Sequence, residues 1–430
     1  MALKRLVTQP LNLKPLWAWG LRKNPPIECP PFGLTPLKGF VIFALILIAR
    51  SPAFLMNPAF YFEDGSKFYP QAFAHGWSSL AITHAGYLHT LPRIIAVAAV
   101  QLPLTLGPYA LAWSSVFIEA ACAAFLLSNR LSNQGPALYR FILGLSIVLY
   151  ANAGELYGNV THLQWYLAIF GVALLAAQPP PKLVAKTWEV FLAALISATG
   201  PFALPLSPFA IWRAIRAKTG YAWAIAVAMA VGASLQATML LTQPRAEGFV
   251  AKGKEHLETV VGMITGQVTT GALMGTESIG PYSIYTDFQQ CAFAAATLGL
   301  LGWGLVKGPN LLKGVIGLGF FAFITALRSG NTWFGLATPG EGERYFFLLG
   351  LGVLWSVGWY LLATRLNFTR LFASLICLTW AYYALVGFHI AKSEGVKLAQ
   401  YQLELDRTGK ATIPTQPGRW KMELGSNQPD

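Results

Sequence analysis

Glu63 and Asp64 are adjacent carboxylates in the run Tyr61-Phe62-Glu63-Asp64-Gly65-Ser66-Lys67-Phe68-Tyr69, shortly after the first long apolar block. The flanking aromatics would seat the pair at the depth of a membrane interface. Carboxylates this close raise each other's pKa, which suits a general base or a cation site. Asp64 is the stronger candidate base, because Gly65 lets the backbone turn sharply and expose the side chain; Glu63 is then its neighbour or a cation ligand. A divalent ion is compatible with the pair, although no ligand spacing supports one, and the metal is left unknown. The competing reading is a solvated acidic turn, since Asp-Gly is an ordinary turn dipeptide. The stretch that follows, Ala81 to Arg93, adds His84, His89 and Arg93.

Two further clusters fall in loops of the same side. Asn152-Ala153-Gly154-Glu155-Leu156-Tyr157-Gly158-Asn159-Val160-Thr161-His162-Leu163-Gln164-Trp165-Tyr166 gathers polar and aromatic groups, with Glu155, Asn159, His162 and Trp165 as candidate substrate ligands. Its plain alternative is a capped helical hairpin with an aromatic belt, and Asn159-Val160-Thr161 also matches a glycosylation sequon. Gly340-Glu341-Gly342-Glu343-Arg344-Tyr345 opens a late apolar block. An arginine there can clamp a phosphate through two parallel charge-assisted bonds, with Tyr345 beside it, or it can pair with Glu341 or Glu343. Arg93, Arg245 and His89 are the candidate helpers of Arg344. Inside apolar blocks lie Glu119, a costly buried carboxylate and so a candidate by default, and Arg50, which can snorkel to the interface.

The elements that must position these groups follow from composition. Of 430 residues, 55% are hydrophobic and 11% charged, against about 25% charged in a soluble domain. This excludes a soluble enzyme and a disordered chain. Long apolar blocks rather than alternating strands predict an all-α polytopic membrane protein with about eleven transmembrane helices. The expected spans are 39–57, 109–128, 140–154, 163–178, 188–199, 201–214, 221–241, 290–306, 314–327, 345–363 and 371–389. The Thr199-Gly200-Pro201 junction reads either as a tight turn between two spans or as one broken hairpin, and 93–106 reads as an interfacial helix. Arg130, Arg140, Lys182, Lys186, Arg213, Arg216, Lys218, Lys307, Lys313, Arg365 and Arg370 fall in alternate short loops whose nearby acid is Glu189. This bias puts the N-terminus in the cytoplasm and the C-terminus outside. The expected layout is a basic cytoplasmic tail (1–38), a membrane domain (39–390, with outer loops 58–108 and 242–289) and a short outer tail (391–430), without a large soluble domain. The net charge of +13 is dispersed among loops, which argues against nucleic acid as a partner.

The acidic pair after the first span, the His/Arg-containing outer loop behind it, the many spans and the Arg344-Tyr345 pair opening a late span together resemble the GT-C superfamily of integral-membrane glycosyltransferases. The segments GELYGNVTHLQWYL and LISATGPFALPLSPFAIWR are similar to an uncharacterised bacterial branch of it, and the resemblance runs from about Phe40 to Ala363. It implies a transferase of the bacterial inner membrane and cell envelope. The donor would be a polyprenyl-phosphate-linked sugar, and the acceptor a glycan or lipid on the extracytoplasmic face, with no certain cofactor. The chain departs from many members in having only a short polar segment after the last span. The chemistry fits: a carboxylate takes the acceptor proton, and cations stabilise the departing phosphate. Competing readings are a secondary transporter or lipid-linked-sugar flippase, and a non-catalytic subunit of a membrane complex.

Overall fold

The computed structural model describes residues 33–243, 257–275, 287–328, 333–337, 340, 342–363, 367–416, 418 and 420–425. The chain is mostly helical, as its apolar blocks require. Five helices are long and apolar enough to cross a membrane: Leu104–Phe125, Gly220–Thr242, Asp287–Lys307, Asn310–Leu327 and Glu343–Ala363. Thr90–Ala99, Ala137–Val148, Val160–Ala176 and Arg370–Val386 are apolar but shorter. A helix of about 12 residues reaches only about 18 Å, against about 30 Å of hydrocarbon.

The first apolar block does not form one continuous helix over 39–57. Thr35 caps Pro36–Arg50 by accepting from Lys38 N, and the helix stops where Pro52 drives Ser51 out of the helical region. A second short helix, Pro52–Met56, follows. The break leaves Arg50 at a helix end, where it is buried instead of snorkelling. Its guanidinium donates to Val148 O (2.8 Å), Tyr150 O (3.1 Å) and Phe388 O (3.0 Å), satisfying carbonyls beyond the ends of two other helices.

Around Gly200 the structure forms two helices, Leu183–Ser197 and Ala203–Ala217, each packed on Gly220–Thr242. Gly200 has φ +89, and a Cβ there would lie 2.2 Å from Gln164 Oε1, so only glycine fits this turn. Near the start of Leu183–Ser197, Arg130 pairs through both guanidinium nitrogens with Glu189, which also accepts from the Tyr221 hydroxyl.

The first outer loop folds into short helices, Asp64–Phe68, Tyr69–His75, Gly76–Ala81 and Thr90–Ala99. The segment after the last long helix, expected as a plain polar tail, is folded onto them. It forms a helix, Ala399–Thr408, and an antiparallel hairpin pairing Ala411–Thr415 with Trp420–Leu424, a small departure from an all-α chain. Ala411, Ile413 and Thr415 alternate inward, and Ile413, Met422 and Leu424 share a second core with Phe60, Phe68, Tyr69 and Val97.

This docking puts the C-terminal segment and the loop after the first apolar block on one side of the bundle. Single cysteines at Lys182 and Lys410, in a background lacking Cys29, Cys291 and Cys377, are expected to react with an impermeant thiol reagent from opposite sides of the membrane. Labelling from the same side would overturn the topology.

Candidate functional site

Phe62, directly before the acidic pair, has φ +41, a costly conformation for a bulky residue. It is held there because Phe62 N donates to Gln416 O and Gln416 N to Phe60 O, both at 2.8 Å. Gly65 packs too tightly for a side chain, since a Cβ would lie 2.6 Å from Phe60 Cβ. These constraints turn Asp64 inward, where it is 2% exposed. Its Oδ2 accepts from Val160 N (2.9 Å) and its Oδ1 from Thr161 N (2.9 Å) and the Thr161 hydroxyl (2.5 Å). A carboxylate offers about four acceptor positions, so one lone pair of Oδ2 is left for a proton.

The environment pushes the two carboxylates apart. Burial raises Asp64 to about 7, against its bonds to Thr161 and Val160, and the charge on Glu63 adds to the rise. Burial also pushes Glu63 up, but His162, its own backbone N–H, Arg344 and His84 outweigh it and hold Glu63 below the ordinary value. Paired groups split this way assume separate proton-transfer and electrostatic roles.

Next to the pair lies a cluster of two histidines and an arginine. His84 Nε2 is 3.9 Å from Glu63 Oε1. The Phe68 ring lies 5.9 Å from His84 and 5.2 Å from His89, and the Arg93 guanidinium sits 5.0 Å from its centroid. His89 stacks on Tyr87 at 4.4 Å. Its Nδ1 lies 3.3 Å from Tyr87 O, which can only accept, so Nδ1 carries the hydrogen and Nε2 keeps a lone pair. Burial drives both His84 and His89 down, with Arg93 adding to the effect on each, so both rings are neutral near pH 7. Arg93 is fully buried, yet none of its guanidinium nitrogens finds an acceptor among the described residues, and His89 Nε2 likewise has no partner. A buried guanidinium normally keeps bonded acceptors, because leaving one without them costs several kcal/mol.

The other two sequence clusters converge on the same place. Arg344 forms an ion pair with Glu155, a residue from the second cluster; Glu341, one of the two neighbours considered from sequence, lies outside the described residues. Glu155 Oε2 also accepts from Arg344 N at 3.3 Å, and Glu343 Oε2 accepts from Glu155 N at 3.0 Å. Tyr345 lies under the Arg344 guanidinium at 4.8 Å, and Trp165 meets Tyr345 edge-on at 5.8 Å. His162 donates from Nδ1 to Glu155 O, and the Asn159 side chain accepts from Thr161 N. Asn159, Val160 and Thr161 are buried, so the sequon serves as the cradle of Asp64 and not as an exposed glycosylation site. Glu119 is tied in as well: its Oε1 accepts from Ser115 Oγ (2.8 Å) and Gly158 N (3.2 Å).

No family model matches the sequence, and no curated protein or solved structure is similar to it.

The structure therefore brings together Glu63, Asp64, His89, Arg93, Glu155, Asn159, His162, Trp165, Arg344 and Tyr345. Arg245 lies outside the described residues. Among the described residues no three His, Cys, Asp or Glu side chains converge in a metal-binding set. Sequence reasoning missed Tyr87, which seats His89 and bonds Gln164, and Lys392, which reaches the site from the C-terminal segment.

Proposed function

We propose that the chain is a GT-C-like glycosyltransferase of about eleven spans in the bacterial plasma membrane. It would move a sugar from a polyprenyl-phosphate carrier to a glycan or lipid acceptor on the outer face. The observation that carries this reading is that one loop holds both a buried carboxylate, Asp64, with a lone pair still free, and a buried arginine, Arg93, with no acceptor among the described residues. Those are the two groups a transfer to a hydroxyl needs. The acceptor oxygen bonds to the sugar carbon as its proton passes to the remaining lone pair of Asp64 Oδ2. The bond from that carbon to the carrier oxygen breaks, and the developing phosphate charge meets Arg93, with Arg344 as second cation. His89 Nε2 can take up a proton beside that anion. Phe73, Trp77, Leu102 and Leu106 are exposed around the same loop and offer an apolar bed for the lipid chain.

The test is binding and turnover in nanodiscs with a panel of radiolabelled short-chain polyprenyl-phosphate hexoses and pentoses. Saturable binding of one donor, with release or transfer of its sugar, is the expected result. Movement of the intact labelled lipid between leaflets without sugar release would establish a flippase instead, and binding of none would end the reading.

A further inference from the structure

The first outer loop does not hold its shape alone. After the last long helix, Ile390 N donates to Arg50 O and Ser51 Oγ to Ile390 O, each at 2.8 Å. Gly395 N donates to Asn57 O at 2.8 Å, and Gln416 exchanges two bonds with Phe60 and Phe62. The C-terminal segment is therefore a strap anchored along 50–62 at three points, the last of them at the strained Phe62. Midway between its anchors, Lys392 turns inward. Its ammonium donates to Tyr157 O and sits 4.1 Å from the Tyr61 ring centroid, 5.2 Å from Phe54 and 5.9 Å from Tyr157. Three rings and one carbonyl form a box that suits a compact ammonium.

Three carboxylates bond to the same short turn as this ammonium: Glu343 accepts from Glu155 N, Glu119 from Gly158 N, and Asp64 from Val160 N and Thr161 N. Glu119 comes from the Leu104–Phe125 helix, Asp64 from the outer loop and Glu343 from the start of the Glu343–Ala363 helix. The strap itself brings Lys392, and His162 lies on the far side, where the lysine acts on it. The phenols Tyr61 and Tyr157 complete the shell. Three buried carboxylates so grouped repel one another unless a cation stands among them.

We propose that Lys392 is a positioning residue for the acidic pair, the shared counter-ion through which the C-terminal strap sets the charge state of Asp64. The known directions agree with the geometry. Burial lowers Lys392 to about 8, against the pull of Glu119, Asp64 and Glu343, while burial raises Asp64 to about 7. Between those values both are charged and the ammonium favours the carboxylate; above about 8 the lysine loses its proton and that support.

The inference concerns a titration and stands or falls separately from sugar transfer. The test is the pH dependence of Asp64 modification by a hydrophobic carbodiimide, resolved to the residue by mass spectrometry. In Lys392→Met the midpoint is expected to rise by roughly one pH unit, and in Lys392→Arg to stay near wild type. A lysine that only packs the strap would alter thermal stability and leave the midpoint unmoved, and an unmoved midpoint in folded Lys392→Met overturns the proposal. If Lys392→Met does not fold, the reciprocal measurement decides. Competitive acetylation of Lys392 is expected to titrate at lower pH in Asp64→Asn than in wild type, because the carboxylate no longer favours the ammonium. Equal midpoints overturn the proposal.

Discussion

Replacing Asp64 by Asn is expected to lower sugar transfer by roughly 10²-fold or more, the usual worth of a positioned general base. The structure adds a cost that must be measured beside it. Every group bonded to Asp64 is a donor: Val160 N, Thr161 N and the Thr161 hydroxyl. An asparagine must turn its NH₂ toward one of them, which forfeits a buried bond worth about 1–3 kcal/mol. Activity is therefore to be compared at equal amounts of folded protein. Glu63→Gln distinguishes the roles within the pair. Burial keeps Asp64 high and the charge on Glu63 adds to it, so neutralising Glu63 lowers the Asp64 pKa, and the acid limb of the pH–rate profile, near 7 in wild type, should move to lower pH. Rate should fall less than in Asp64→Asn. An acid limb that vanishes in Glu63→Gln and persists in Asp64→Asn would transfer the base role to Glu63.

How far this site was legible in the sequence depended on how locally each feature is determined. The acidic pair, the histidine–arginine stretch and the Glu155–Trp165 cluster stood out because polar groups next to apolar blocks are conspicuous. That Glu155 engages Arg344 was not legible, because the pairing joins positions almost two hundred residues apart and nothing in the local spacing selects it. The break at Ser51-Pro52 was written in the proline, yet hydropathy ran straight through it. The hairpin Ala411–Leu424 was hidden for another reason. Its strands are five residues each, Pro414 sits at an outward position of the first and disfavours a strand, and its stability comes from packing on Phe60 and Phe68 rather than from strand propensity. Lys392 went unremarked within the short outer tail because burial of a lysine is decided by what folds over it.

Arg93→Met is expected to act in opposite directions on stability and on donor binding. In wild type the guanidinium is fully buried over Phe68, and no described residue accepts from it. Replacing an uncompensated buried charge by an apolar side chain of similar length removes a desolvation cost, and comparable exchanges stabilise proteins by about 1–4 kcal/mol. Without donor, the thermal midpoint of Arg93→Met should therefore rise by a few degrees, roughly the scale of such changes. With a polyprenyl-phosphate sugar the order should reverse, because the variant lacks the donors that would meet the phosphate. Loss of bonds to a charged group costs about 1.5–3 kcal/mol each, so affinity should drop by at least roughly tenfold. Arg344→Lys should cost less affinity than Arg93→Met, since Glu155 already occupies its guanidinium in the donor-free protein. Binding should also strengthen as pH falls, because the phosphate raises the proton affinity of His89, and in His89→Phe that dependence should flatten. A lowered midpoint together with wild-type donor affinity in Arg93→Met would make Arg93 a packing residue held by the Phe68 ring, and would leave Arg344 as the phosphate ligand.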